Sequence, residues 1–270
     1  MIFSFYINLL LFLILIFPHQ TIATDSSAYF GFSIMDFAYK EFREDGGLFN
    51  REDGILPGIL AGVTKPVGQW WDLAGEFSYY SNDVNYNGQT QSGFPFETRT
   101  DEKLFDLALQ LKRQIKTSGH LNYKLYAGLG YHLWKRDIQS TATVSGLFET
   151  YEWWYGQLGA KVAPSEKSNW VVDFRLSHPI NANIKINFNG LFDDKKLNLN
   201  GQLSGRLSFA WQAQLSHSLK FIAEPYLEYW HLGRSTTETL TRNGQTVGHI
   251  FEPQSKTLNY GIMIYLMYAK

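Results

Sequence analysis

Apolar and polar side chains alternate along residues 121–136, LNYKLYAGLGYHLWKR. Leu121, Tyr123, Leu125, Ala127, Leu129, Tyr131 and Leu133 share one parity; Asn122, Lys124, Tyr126, Gly128, Gly130, His132, Trp134 and Arg136 share the other. A period of two is that of a β-strand with one greasy and one polar face. The run far exceeds the roughly 5–6 residues of an ordinary globular strand, so it predicts a strand that crosses a membrane at a tilt and continues beyond it. The apolar parity then faces lipid and the polar parity a barrel lumen.

The same alternation recurs at 28–42, 55–65, 71–80, 105–112, 151–163, 170–177, 199–213, 219–230 and 258–268, which makes about ten strands. The connections alternate short, at 66–69, 116–119, 164–169 and 216–218, with long, at 43–54, 82–100, 140–146, 181–198 and 236–253. That asymmetry predicts an all-β fold, a transmembrane antiparallel up-and-down barrel with short periplasmic turns, long outer loops and both termini inside. The segment 181–198 carries its own alternation, Ile184, Ile186 and Phe188, and reads as a hairpin standing above the membrane. Trp71, Trp154, Trp170, Trp211 and Tyr268 lie near strand ends on the apolar parity, where a membrane interface takes amphipathic rings.

Composition narrows this picture further. A mean hydropathy of -0.23 excludes a bundle of apolar transmembrane helices but suits strands whose two faces cancel. A net charge of -1 leaves no electrostatic footprint for nucleic acid. With no cysteine, the chain has no disulfide framework and no thiolate metal site, and no motif calls for a cofactor. Residues 7–17 form an apolar stretch too short to span a bilayer as a helix, followed by Pro18 and the small-residue site Thr21-Ile22-Ala23. They read as a signal peptide, 1–23, cleaved after Ala23 and leaving a barrel domain at 24–270, although no Lys or Arg precedes the apolar stretch.

Over nearly all of its mature length the chain resembles the Gram-negative outer-membrane β-barrel proteins. The resemblance rests on this architecture and on the terminal strand NYGIMIYLMY, which looks like the aromatic segment that the barrel-assembly machinery recognises; the chain departs from that pattern by ending in Ala269-Lys270. It implies residence in the outer membrane and, as partners, outer-membrane lipid and lipopolysaccharide with the assembly machinery during insertion. A small solute or an extracellular ligand is left open.

The inward parity carries both signs of charge: Asp72, Glu76, Lys124, His132, Arg136, Asp173, Arg175, Arg206, Glu224 and Glu228, with Asp106, Lys112, Lys161 and Lys220 beside them. In a barrel of eight to ten strands, side chains nearly fill the interior, and opposite charges pair because an unpaired buried charge is costly. Either a salt-bridged plug or a narrow pore results. The functional reading is therefore a narrow pore or a structural and interaction barrel, with no catalytic residue assigned. The alternative is an enzyme at the outer rim, an omptin-like protease or a lipid-modifying hydrolase. The raw materials would be His132, Arg136, Asp137, Glu149, Glu152, His178 and His231, or His217 between Ser216 and Ser218. Two further expectations concern the outer half. The repeated REDG of 43–46 and 51–54 reads as a solvated hairpin tip. Tyr79, Tyr80, Tyr86, Phe94, Phe96, Tyr151, Trp153 and Tyr155 read as an outer aromatic girdle in preference to a recognition surface.

Overall fold

The computed structural model describes residues 26–90, 93–115, 121–165 and 168–270. The proposed signal peptide and the turn expected at 116–119 lie outside the described residues. Ten strands close on themselves: β1 (Ser27–Phe42), β2 (Leu48–Pro66), β3 (Trp71–Gln89), β4 (Pro95–Ile115), β5 (Asn122–Ile138), β6 (Leu147–Ala163), β7 (Trp170–Asn187), β10 (Ser204–Gln214), β11 (Leu219–Gly233) and β14 (Gln254–Ala269). Between β7 and β10 the short strands β8 (Lys195–Asn198) and β9 (Asn200–Gly201) extend the wall, pairing with β7 and β11. Between β11 and β14, β12 (Glu238–Arg242) and β13 (Gln245–Ile250) form a separate hairpin. Every wall pair is antiparallel, and β1 closes the ring against β14, from Ser27 opposite Ala269 to Phe42 opposite Gln254.

Parity then assigns the two faces. Phe32, Leu129 and Leu158 point out and are 60–65% exposed, and with Ile34, Phe174, Phe209 and Ile264 they form an apolar belt around the wall. Soluble monomers do not leave such a belt to water. It ends on the side away from the termini where outward positions become charged, at Asp36, Asp53, Lys103, Lys135, Glu152 and Lys256. Trp71, Trp170, Trp211 and Tyr268 are outward near the short-turn end, and Trp154 sits at the other edge, as amphipathic rings at two interfaces would.

The barrel rises well beyond this belt, and here three sequence expectations are corrected. Residues 51–54 are not a loop tip: the tip is confined to 43–47, and Glu52 points into the barrel. Residues 82–100 are mostly wall, since β3 runs to Gln89 and β4 starts at Pro95, with Val84, Tyr86, Phe96 and Thr100 inward. Above the lipid the outward face meets water, so polar outward residues make a strand look like a loop. The expected outer girdle is mainly an interior: Tyr80, Tyr86, Phe96, Tyr151, Trp153 and Tyr155 are all buried, while Phe94 alone of the eight sits exposed at a loop. A bulge on β7 produces much of this core. Two residues, Asn181 and Ala182, oppose Trp153, Asn181 takes φ 54°, and the parity of β7 inverts. Below the bulge the even residues Phe174 and Leu176 face out; above it Ile184, Ile186 and Phe188 face in and join Phe37, Trp134 and Leu197. The polar segment 236–253 is β12–β13, joined by Asn243-Gly244 with both φ positive, the geometry that a two-residue hairpin turn demands. Asp193 accepts hydrogen bonds from the backbone N–H groups of both turn residues, at 3.0 and 2.9 Å, and ties the hairpin to the β7–β8 loop.

One device repeats along the inner wall. Tyr29 lies opposite Gly62, Tyr80 opposite Gly58, Tyr126 opposite Gly159, Tyr155 opposite Gly130 and Tyr226 opposite Gly261. In each pair the ring lies flat across its glycine, where a Cβ would overlap ring carbons. Glycine here supplies room and tyrosine covers the bare backbone, so large rings fit within a ten-stranded bore. We expect Gly130→Ala to displace Tyr155 and destabilise the barrel by about 1–3 kcal/mol. Gly75→Ala, with only ordinary contacts to Leu109 and Val63, should be close to neutral; denaturant titration of the two variants checks this.

Candidate functional site: the barrel interior

The interior has two storeys. The lower one, within the belt, is a cavity of about 570 Å³ reaching the short-turn end and lined by Asp72, Glu76, Lys124, Asp173, Arg175, Arg206 and Glu224, among others. Its charges are tied together. Glu76 on β3 accepts from Gln110 (2.9 Å), Lys112 (3.3 Å) and Arg175 (2.9 Å), which reach it from β4 and from β7 across the bore. Lys124 pairs with Asp72 at 3.0 Å, and Lys161 with Asp173 at 3.2 Å while the Tyr126 hydroxyl donates to Asp173 at 2.6 Å. Glu224 is held by two hydroxyls, Ser208 at 2.5 Å and Tyr265 at 2.7 Å, and Arg206 lies over the Tyr226 ring and 3.9 Å from Glu228.

At the level of Arg175, Arg206 and Tyr80 the bore narrows, and above it remains a pocket of only about 50 Å³, bordered by His132, Trp153, Trp230 and Glu228. That is room for water molecules, not for a solute. His132 stacks on Trp153 (4.3 Å between centroids), and its Nδ1 lies 3.1 Å from Asp106, which also accepts from Tyr155 at 2.8 Å. The ring that packs this histidine is Trp153, on the neighbouring strand β6.

The upper storey, beyond the belt, is solid and centres on Arg136, whose side chain is 0% exposed. Four carboxylates surround its guanidinium: Glu52, Glu149 at 2.7 Å, Glu41 at 3.4 Å and Glu102 at 3.6 Å. A fifth, Glu252, accepts from Tyr151 at 2.5 Å, and Tyr151 in turn accepts from Arg136 at 3.0 Å. The Tyr39 ring lies 4.4 Å beneath the guanidinium carbon, and the Trp134 indole N–H donates to Glu102. Five enclosed carboxyls share one cation, so they cannot all be ionised together without a large desolvation cost. Burial pushes the Glu41, Glu102 and Glu252 carboxyls above the usual carboxylate range, and Glu149 is pushed up to about 7.

Thus all ten predicted lumen charges lie inside the wall, Arg136 in the upper plug and the rest around the two spaces below it. Of the side chains considered for rim chemistry, His132 is enclosed and Glu149 is in the plug. Asp137, Glu152, His178 and His231 face outward, and Glu152 is paired with Lys185 at 3.1 Å, so no catalytic constellation is assembled from them. His217 is in the exposed turn between β10 and β11. Sequence reading missed Glu41, Glu52, Glu102 and Glu252 as partners of Arg136. Parity carried on through 48–54 and 95–104 would have found Glu52 and Glu102; nothing local marks Glu252, which sits beyond β13. Among the described residues, no group of three or more His, Asp or Glu side chains is arranged to hold a metal ion.

A family model described as an outer membrane protein beta-barrel domain matches residues 8–206. No curated protein matches the sequence. Among solved structures, the outer membrane protease OmpT from Escherichia coli superposes with a TM-score of 0.62 at 10% identity, covering 94% of this chain and 99% of that one. The outer membrane protein OprG from Pseudomonas aeruginosa gives 0.44 at 12% identity, over 92% and 96%. The translocator domain of autotransporter NalP from Neisseria meningitidis gives 0.46 at 12%, over 92% and 90%. The likeness to OmpT is one of fold.

Carboxyls with raised native pKa bind protons more tightly in the folded than in the unfolded state. Their contribution to stability is complete below the ordinary carboxyl range and is lost as pH rises through about 7 for Glu149. The folded barrel should therefore resist urea better at pH 5 than at pH 8. Arg136→Met should cost about 3–5 kcal/mol at pH 8 and distinctly less at pH 5, where the stranded carboxyls can take up protons.

Proposed function

The chain belongs to the outer membrane protein β-barrel family, and on that premise we propose that it serves as a closed, non-conducting barrel whose outer rim is an interaction surface. The observation that carries this reading is the solid upper storey. Above the 570 Å³ cavity the bore shrinks to about 50 Å³ and is then filled by Arg136, its carboxyls, Trp134, Tyr39 and Tyr151. Hydrated ions need a continuous water path, and packed rings bonded to buried charges leave none. The rim above the plug offers apolar side chains to the outside, Phe94 at 70% exposure with Leu191, Val247 and Leu48.

This favours an interaction barrel over a narrow pore. The histidines and acids considered for rim chemistry are scattered over both faces of the wall. The refolded chain in a planar bilayer should give no discrete conductance steps. Trp134→Ala combined with Tyr151→Ala, which empties the plug without removing Arg136, should produce them. Regular steps from the unaltered chain would overturn the proposal.

A further inference from the structure

The wall of the lower cavity is divided into two halves. Its charged side chains stand on β3–β7, β10 and β11, whereas β1, β2 and β14 meet the space with Tyr29, Leu60, Met263, Tyr265 and Met267. Within the belt the inward positions of those three strands carry no charge. The Tyr29 and Tyr265 rings lie 4.9 Å apart, and Leu60 and Met263 pack with Tyr226 above them. Tyr29, Tyr265 and Met267 remain half-buried, so part of this apolar wall is open to the cavity. Apolar surface left to water is unfavourable, and a bore meant for water alone gains nothing from it.

The charges do not balance locally either. On β4–β7 four cations share three acids: Glu76 takes both Lys112 and Arg175, Asp72 takes Lys124 and Asp173 takes Lys161. Arg206 pairs with Glu228, and Asp106 is engaged by His132 and Tyr155. Glu224 on β11 is left over. Among the described residues no cation pairs with it, and its two oxygens accept only from the hydroxyls of Ser208 and Tyr265. Lys220 stands two inward positions nearer the rim, beyond Ile222. Glu224 borders the apolar wall, opposite Met263 in register. In the ring of ten, β11 is five strands from β4, so Glu224 and Lys112 occupy opposite sides of the bore.

A surplus cation, an acid without a cation and an apolar wall beside them are complementary to a ligand with a carboxylate at one end, an ammonium at the other and apolar groups along its length. Charges on opposite sides of the bore call for a wider separation than a single amino acid offers; two or three extended residues span about 7–10 Å. The volume of about 570 Å³ lies within the range of small-molecule sites, roughly 300–1,000 Å³, and the cavity reaches the short-turn end. We propose that the lower cavity binds a short apolar peptide with free ends. Its ammonium meets Glu224, its carboxylate meets Lys112 and Lys161, and its side chains lie on Tyr29, Tyr265 and Met267. None of this depends on the closed upper storey, so silent or conducting barrels test it equally.

The test is isothermal titration calorimetry of the full chain, refolded in a maltoside detergent, with trileucine. N-acetylating the peptide should weaken binding by about tenfold, as should Glu224→Gln, and acetylation should cost nothing further in that variant. Amidating the carboxyl end should likewise cost about tenfold in the unaltered chain and less in Lys112→Gln, where Arg175 and Gln110 still hold Glu76. Triserine should bind at least about tenfold more weakly than trileucine. Absence of trileucine binding overturns the proposal, and so does full additivity of acetylation with Glu224→Gln, which would put the ammonium elsewhere. Equal binding of triserine overturns the role of the apolar wall. If a variant fails the heat-modifiable mobility check for folding, the acetylated and amidated peptides on the unaltered chain decide, and unchanged binding of both overturns the site.

Discussion

Closure of the β1–β14 ladder governs everything else in this molecule. A ring of hydrogen-bonded strands satisfies its backbone without an edge, which is what allows it to stand in lipid. It also compels every residue of one parity into a bore that water reaches only from the ends. The inward charges therefore have to satisfy one another across the ring, between strands remote in sequence. Arg175 reaching Glu76, and Arg136 gathering Glu41, Glu52, Glu102 and Glu149, are consequences of that enclosure.

The two storeys answer different surroundings. Within the belt the outside is apolar and the inside holds charge pairs around a cavity. Beyond it the outside is wet, and the wall behaves as a soluble β-protein does, with Phe37, Trp134, Ile184 and Leu197 forming a packed core. The β7 bulge lies near the transition and turns the strand's apolar residues from lipid to core. The Tyr–Gly pairs make this packing feasible, since bare backbone opposite each ring keeps the bore from being overfilled.

The sequence by itself determined the strands within the lipid, their faces, and which charges point inward. Strict period-two alternation between an apolar solvent and an enclosed lumen leaves one arrangement, so Leu129 and Glu76 could be placed from parity alone. Where the outer solvent is water the contrast between faces weakens, and that is why 51–54 and 82–100 resembled loops although they are wall. Asn243-Gly244 was a legible hairpin signal inside an apparently featureless polar stretch. Only the tertiary structure decided the partners: the shear of the closed ring chooses which carboxyls meet Arg136, a bulge of one residue reverses the faces of β7, and the order of strands in the ring sets Glu224 and Lys112 on opposite sides of the bore. Parity is a local property of the chain, whereas register and closure are properties of the whole ring.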